Sequence, residues 1–131
     1  MEFADQIEQW ARDTESRLNK TLQKIVLIVG TSVINLSPVD TGLFKGNWQL
    51  SYDGNAVEID RLDKTGGQVL AELGQRVEGF TAGQVAYIQN QIFYGNDLEH
   101  YSSRQAPEGM VRITAARFNQ IVQEALALNK E

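Results

Sequence analysis

The sequence predicts an α+β domain: a long N-terminal helix, a small antiparallel sheet of about four strands, and a C-terminal helix packed on that sheet. Three observations lead there. With polar Thr14 the one exception, an apolar residue recurs every three or four positions over residues 2–36, strict alternation follows from Trp48, and helical spacing returns after Pro107. A chain of 131 residues with 42% hydrophobic content supports one core. Residues 1–131 therefore read as a single domain, with the long helix over 1–36, the sheet region over 43–92 and the last helix over 108–129.

The helical stripe comprises Phe3, Ile7, Trp10, Thr14, Leu18, Leu22, Ile25, Val29, Val33 and Leu36. Its mean spacing of about 3.67 is nearer the 3.6 of a straight helix than the 3.5 of a left-handed coiled coil. Such a helix extends roughly 50 Å at 1.5 Å per residue, longer than a compact domain of this size needs. Its first half is narrowly amphipathic. Residues 24–30 are apolar around most of the circumference and need enclosure by the fold or by a neighbouring subunit. The β-branched run at 25–29 would also suit a strand, but the stripe crosses it in phase.

Ser37-Pro38 ends the helix, because proline disfavours helical geometry at the preceding residue. Asp40-Thr41-Gly42 offers an Asx-type turn or N-cap, opening one short turn through Gly46. Trp48, Leu50 and Tyr52 then share one face of a strand, with Gln49 and Ser51 on the other. Asp53-Gly54-Asn55 is a hairpin signal, so residues 56–61 should return as a second strand, with Val57 and Ile59 alternating. Lys64-Thr65-Gly66-Gly67 reads as a loop and 68–77 as a short helix weakened by Gly74. After a turn at 80–83, residues 85–92 read as a strand. Residues 94–100 suit a short helical turn, and 102–108 a loop with Pro107 at the first helical position. The last helix should bury Val111, Ala115, Phe118, Ile121, Val122, Ala125 and Leu128.

Composition removes several chemistries. Without cysteine there is no disulfide, thiolate nucleophile or cysteine-based metal site, and His100 alone cannot build a multi-histidine site. Glu99 and His100 are adjacent, but no nucleophile or orienting group is spaced to join them, so a structural role is favoured. Asp53, Glu58, Asp60 and Asp63 lack the spacing of a calcium loop and read as a solvated hairpin edge. Gly66-Gly67 forms neither a dinucleotide nor a Walker loop. No cofactor and no catalysis are expected. Twelve Lys and Arg against seventeen Asp and Glu, a net charge of −5, speak against a protein that coats nucleic acid. The apolar run at 25–36 is interrupted by Gly30, Thr31, Ser32 and Asn35 and falls short of the roughly 20 residues of a membrane span. The acidic start is no secretory signal, and the lack of cysteine fits a reducing compartment. Arg104, Arg112 and Arg117 are candidates for ion pairs between subunits, and Trp10 for a core or interface anchor.

Two segments carry a family resemblance. Pro38-Val39-Asp40-Thr41-Gly42-Leu43-Phe44-Lys45-Gly46-Asn47-Trp48 resembles a stretch of the neck, or tail-completion, proteins of tailed bacteriophages. There a Pro-Val-Asp-Thr-Gly turn is followed by a hydrophobic residue and a Gly-x-Trp ending. Tyr94, Leu98, Glu99, Ser103, Gln105, Ala106, Pro107, Gly109, Met110 and Val111 are similar, position by position, to a second segment of that family. Phe93 departs from it where proline is common, as do His100-Tyr101 where Tyr-Gly is usual. Ile88-Gln89-Asn90 also resembles the family's strand ending in Asn.

The resemblance implies a structural virion protein, made in the host cytoplasm and placed at the head–tail junction. It implies a ring of six, or alternatively twelve, copies between the portal-side head-closure protein and the tail, with DNA passing through without specific binding. A tail-terminator or head-closure protein of the same neck is the nearest alternative, and a DNA-binding module a less favoured one. Pro38, Asp40, Thr41, Gly42, Trp48, Tyr94, Leu98, Glu99, Gln105, Ala106, Pro107, Gly109 and Met110 then define the fold or an assembly interface. Pro107 would fix the approach to the last helix, Gly109 would permit close contact, and Gln105 would satisfy backbone groups. The Asp40-Thr41-Gly42 turn would set the angle between the long helix and the sheet. Equally, both segments could serve only to stabilise the subunit.

Overall fold

A computed structural model describes residues 2–92, 94–100 and 109–128. Helix α1, Phe3–Leu36, runs unbroken for 34 residues, as the stripe requires. It stops where Pro38 forces Ser37 into extended geometry (φ −68°, ψ 131°). The halves of α1 differ. Residues 2–18 are exposed all round, whereas Val26, Gly30, Val33 and Ile34 face the core. At Gly30 the next helix crosses so closely that an added Cβ would lie 2.6 Å from Leu73 Cδ2.

After α1 come a single 3-10 turn (Lys45–Asn47), strand β1 (Gln49–Ser51), helix α2 (Gly67–Val77), strand β2 (Tyr87–Gln89), and helices α3 (Gly95–His100), α4 (Val111–Ala116) and α5 (Phe118–Leu128). Helix α2 presents Val69, Leu73 and Val77, four residues apart, to the inner half of α1 and the sheet. Phe44, Trp48, Leu50, Phe80, Ile92 and Met110 complete the core. Tyr52 stacks on Phe80 with ring centres 5.8 Å apart and donates its hydroxyl to the Arg76 carbonyl.

The expected four-stranded sheet is a two-stranded one in a mostly helical domain. β1 pairs antiparallel with β2, Leu50 opposite Ile88, across the whole of α2. The turn at Gly54 forms, with φ +77°, but residues 56–61 do not return as a strand. Side chains take the backbone groups that a ladder would use. Asn47 binds both the N–H and the carbonyl of Ile59, Gln49 donates to the Val57 carbonyl, and Arg61 donates to the Gly46 carbonyl. The segment is thereby held one side-chain length from β1. The strand expected over 85–92 shortens to Tyr87–Gln89.

The last helix also departs from expectation. It breaks at Arg117 (φ −94°, ψ 6°), and it packs along α1 rather than on the sheet. Ile121 and Ala125, on one face of α5, are fully buried, and Ser32 Oγ on α1 lies 2.7 Å from Thr114 Oγ1 on α4. Val111, Ala115, Phe118 and Leu128, expected to be buried, are exposed because α1 covers only that narrow face.

Candidate functional site

The first family-like segment forms the corner between α1 and the sheet. The Ser37 hydroxyl donates to the Val33 carbonyl at 2.6 Å and accepts the Trp48 indole N–H at 2.7 Å, fastening the far end of the segment to the helix end. Thr41 Oγ1 accepts the Leu43 N–H. The Gly42 carbonyl accepts the N–H groups of Gly46 and Asp63 at 2.9 and 3.0 Å. Gly42 has φ +89°, and a Cβ there would lie 2.6 Å from the Lys64 nitrogen, so glycine is required on both counts. Asp40 is exposed at the turn.

Two residues of this corner have roles that the sequence did not reveal. Asn47 is fully buried and donates to the Leu43 and Ile59 carbonyls while accepting the Ile59 N–H. Asp63 is buried rather than part of a solvated hairpin edge. Its two carboxylate oxygens accept the N–H groups of Gly66 and Val69 and cap α2. Its distance of three residues from Gly66 was the available signal.

The second segment locks onto the first. Asn90 donates to the Phe44 carbonyl at 2.7 Å, the Tyr94 ring sits 6.0 Å from that of Phe44, and Leu98 packs against the core. Burial raises the Tyr94 phenol above its ordinary pKa, with the Asp40 and Glu58 carboxylates adding to the rise. Glu99 is the hub. One carboxylate oxygen accepts the N–H groups of Met110 and Val111, both at 2.8 Å. The other accepts the Arg112 N–H and Nε–H at 3.1 and 3.0 Å. The Arg112 guanidinium also donates to the Glu99 carbonyl. Burial pushes the Glu99 carboxyl up, but the hydrogen bonds from Val111, Met110 and Arg112 outweigh it, and the net shift is downward. Gly109 has φ +85°, and a Cβ there would collide with the Glu99 carboxylate. Met110 is buried in the core.

Arg104, Gln105, Ala106 and Pro107 lie outside the described residues, as does the side chain of His100. Arg112 is paired within its own chain, and Arg117 is exposed at the break between α4 and α5. Where the two segments meet, Phe44, Trp48, Ile88, Ile92, Glu99 and Met110 line an open groove of about 470 Å³.

An uncovered apolar surface lies elsewhere. On the outer half of α1, Phe3 is 75%, Ile7 51%, Trp10 69% and Leu18 48% exposed. These residues fall on one stripe, which no other part of the chain covers among the described residues. The described residues hold no group of three His, Cys, Asp or Glu side chains placed to bind a metal, and no helix long and apolar enough to cross a membrane. No protein-family model, curated protein or solved structure matches the chain.

Proposed function

We propose that this chain is a structural ring-former of the tailed-phage neck, joining the portal-side connector to the tail and leaving a channel for DNA. The observation that carries the reading is the outer half of α1. Residues 2–18 are solvent-exposed, and among the described residues nothing covers the apolar stripe, so a second molecule is the means we propose for burying it. A ring of identical copies supplies that surface by symmetry. The Glu99 hub and the Gly42 corner support the same reading, since both fix the angles at which a rigid subunit presents α1. The charge of −5 per subunit multiplies around a ring, which favours passage of DNA without adhesion.

The test combines sedimentation velocity over a range of concentrations with imaging of intact particles. A closed species of six or twelve subunits, and density at the head–tail junction, are expected. Normal particles that lack the chain overturn the proposal.

A further inference from the structure

The inner part of α1 is tied to other elements. Asn19 Oδ1 accepts the Ala82 N–H at 2.8 Å, Gln23 donates to the Phe80 carbonyl at 2.8 Å, and Val26, Gly30, Val33 and Ile34 are buried. Residues 2–12 project beyond these ties and are exposed all round. A helix that grows from a fixed inner half needs no new nucleus, so its reach is set by the propensity of each added residue. Phe3, Asp5, Trp10, Asp13, Thr14 and Ser16 each disfavour the helix by about two- to threefold relative to Ala. The outer end also lacks a cap: Glu2 stands at the N-cap position with no side-chain hydrogen bond.

Asp13-Thr14-Glu15-Ser16 has the chemistry of a second helix start inside α1. Aspartate is a preferred N-cap, and a glutamate two residues later suits the first turn. In the long helix these side chains are turned to the preceding turn instead. Asp13 accepts the Gln9 side-chain amide at 3.0 Å, and the Thr14 hydroxyl donates to the Trp10 carbonyl at 2.8 Å, a back-bond that weakens helices. The Gln9–Asp13 and Glu8–Arg12 contacts favour the long form by about twofold each. The long and short forms of α1 are therefore closely balanced.

We infer that α1 has two starts, Phe3 and Thr14, and that residues 2–12 exchange between coil and helix until their apolar face is covered. In the short form Asp13 turns forward to cap the helix. In the long form Phe3, Ile7 and Trp10, spaced four and three residues apart, come onto one face, which the coil does not assemble. Covering that face selects the long form, so the contact surface is completed as it is used. The exchange is a property of the single subunit. Its coupling to assembly rests on the ring reading and adds the regulation of that contact.

Hydrogen exchange of the whole chain tests this, starting at the lowest measurable concentration with the native mass recorded alongside. Amides 6–12 should exchange within about tenfold of the unstructured rate, far faster than amides 26–34. Asp13→Ala removes the internal cap and adds the best helix former, which outweighs the lost Gln9 bond, so exchange at 6–12 should slow roughly fivefold. If Asp13 serves only the long helix through Gln9, the same variant exchanges faster. Equal protection at 6–12 and 26–34 at the lowest concentration, or unchanged or faster exchange in Asp13→Ala, overturns the two-start inference. At concentrations where the mass shows assembly, protection at 6–12 should rise at least about tenfold, and assembly without that rise overturns the coupling. A chain that never assembles refutes the ring reading alone, because the single-subunit measurements need no partner.

Discussion

Replacing Glu99 with Gln tests the hub on which the second segment turns. The glutamine retains one carbonyl oxygen for two of the four donors and presents an NH2 group to the other two. Were Glu99–Arg112 an ordinary surface ion pair, the loss would be about 0.2–1 kcal/mol. The Glu99 side chain is 11% exposed, however, and its carboxylate accepts three backbone N–H groups as well as the guanidinium. A charge-assisted bond is worth about 1.5–3 kcal/mol, and a carboxylate at a helix N-terminus adds about 0.3–1 kcal/mol. With Arg112 half exposed, the lower part of that range applies, and Glu99→Gln should cost about 2–3 kcal/mol. Urea unfolding at pH 7 measures it, with an unchanged m-value showing that the unfolded state is the same.

The deficit should also depend on pH. The folded pKa of Glu99 lies below its ordinary value of 4.5. Its contribution is therefore complete above the ordinary carboxyl range and disappears as pH falls through the lowered folded value, where wild type and variant converge. A loss under about 0.5 kcal/mol at neutral pH would refute the hub. So would a deficit that is the same at acid and neutral pH.

Other substitutions probe the remaining parts. Gly109→Ala places a Cβ at φ +85° against the Glu99 carboxylate and should destabilise by at least about 1–2 kcal/mol, read from thermal unfolding. Asn47→Ala strips partners from the Leu43 carbonyl and from both backbone groups of Ile59, at about 2–4 kcal/mol, and should accelerate hydrogen exchange at the Ile59 amide. Trp10→Glu, at a side chain 69% exposed, should change subunit stability by less than about 0.5 kcal/mol while shifting the native mass toward the single subunit.

Helix α1 was legible because its stripe is long and local, and α2 because Val69, Leu73 and Val77 repeat at helical spacing. The hairpin was not. The Asp53-Gly54-Asn55 turn forms as its residues dictate, but Asn47 and Gln49 satisfy the returning backbone through their side chains, and β1 takes its partner from beyond α2. Local alternation carries no record of a pairing forty residues away. Nothing in the residues around Arg117 marks the break between α4 and α5; no glycine or proline stands there. Four acids close in sequence suggested a solvated edge, whereas burial of Asp63 depends on α2 arriving above it. The family resemblance drew attention to Glu99 and Gly109, but their contact joins two elements that sequence alone leaves apart.

The central claim is assembly through the exposed half of α1, and imaging of intact particles tests it most directly. The account predicts a closed ring of this chain at the head–tail junction, with the outer turns of α1 covered by the neighbouring copy. Particles of normal form without the chain, or a ring in which Phe3, Ile7 and Trp10 face solvent, would contradict it.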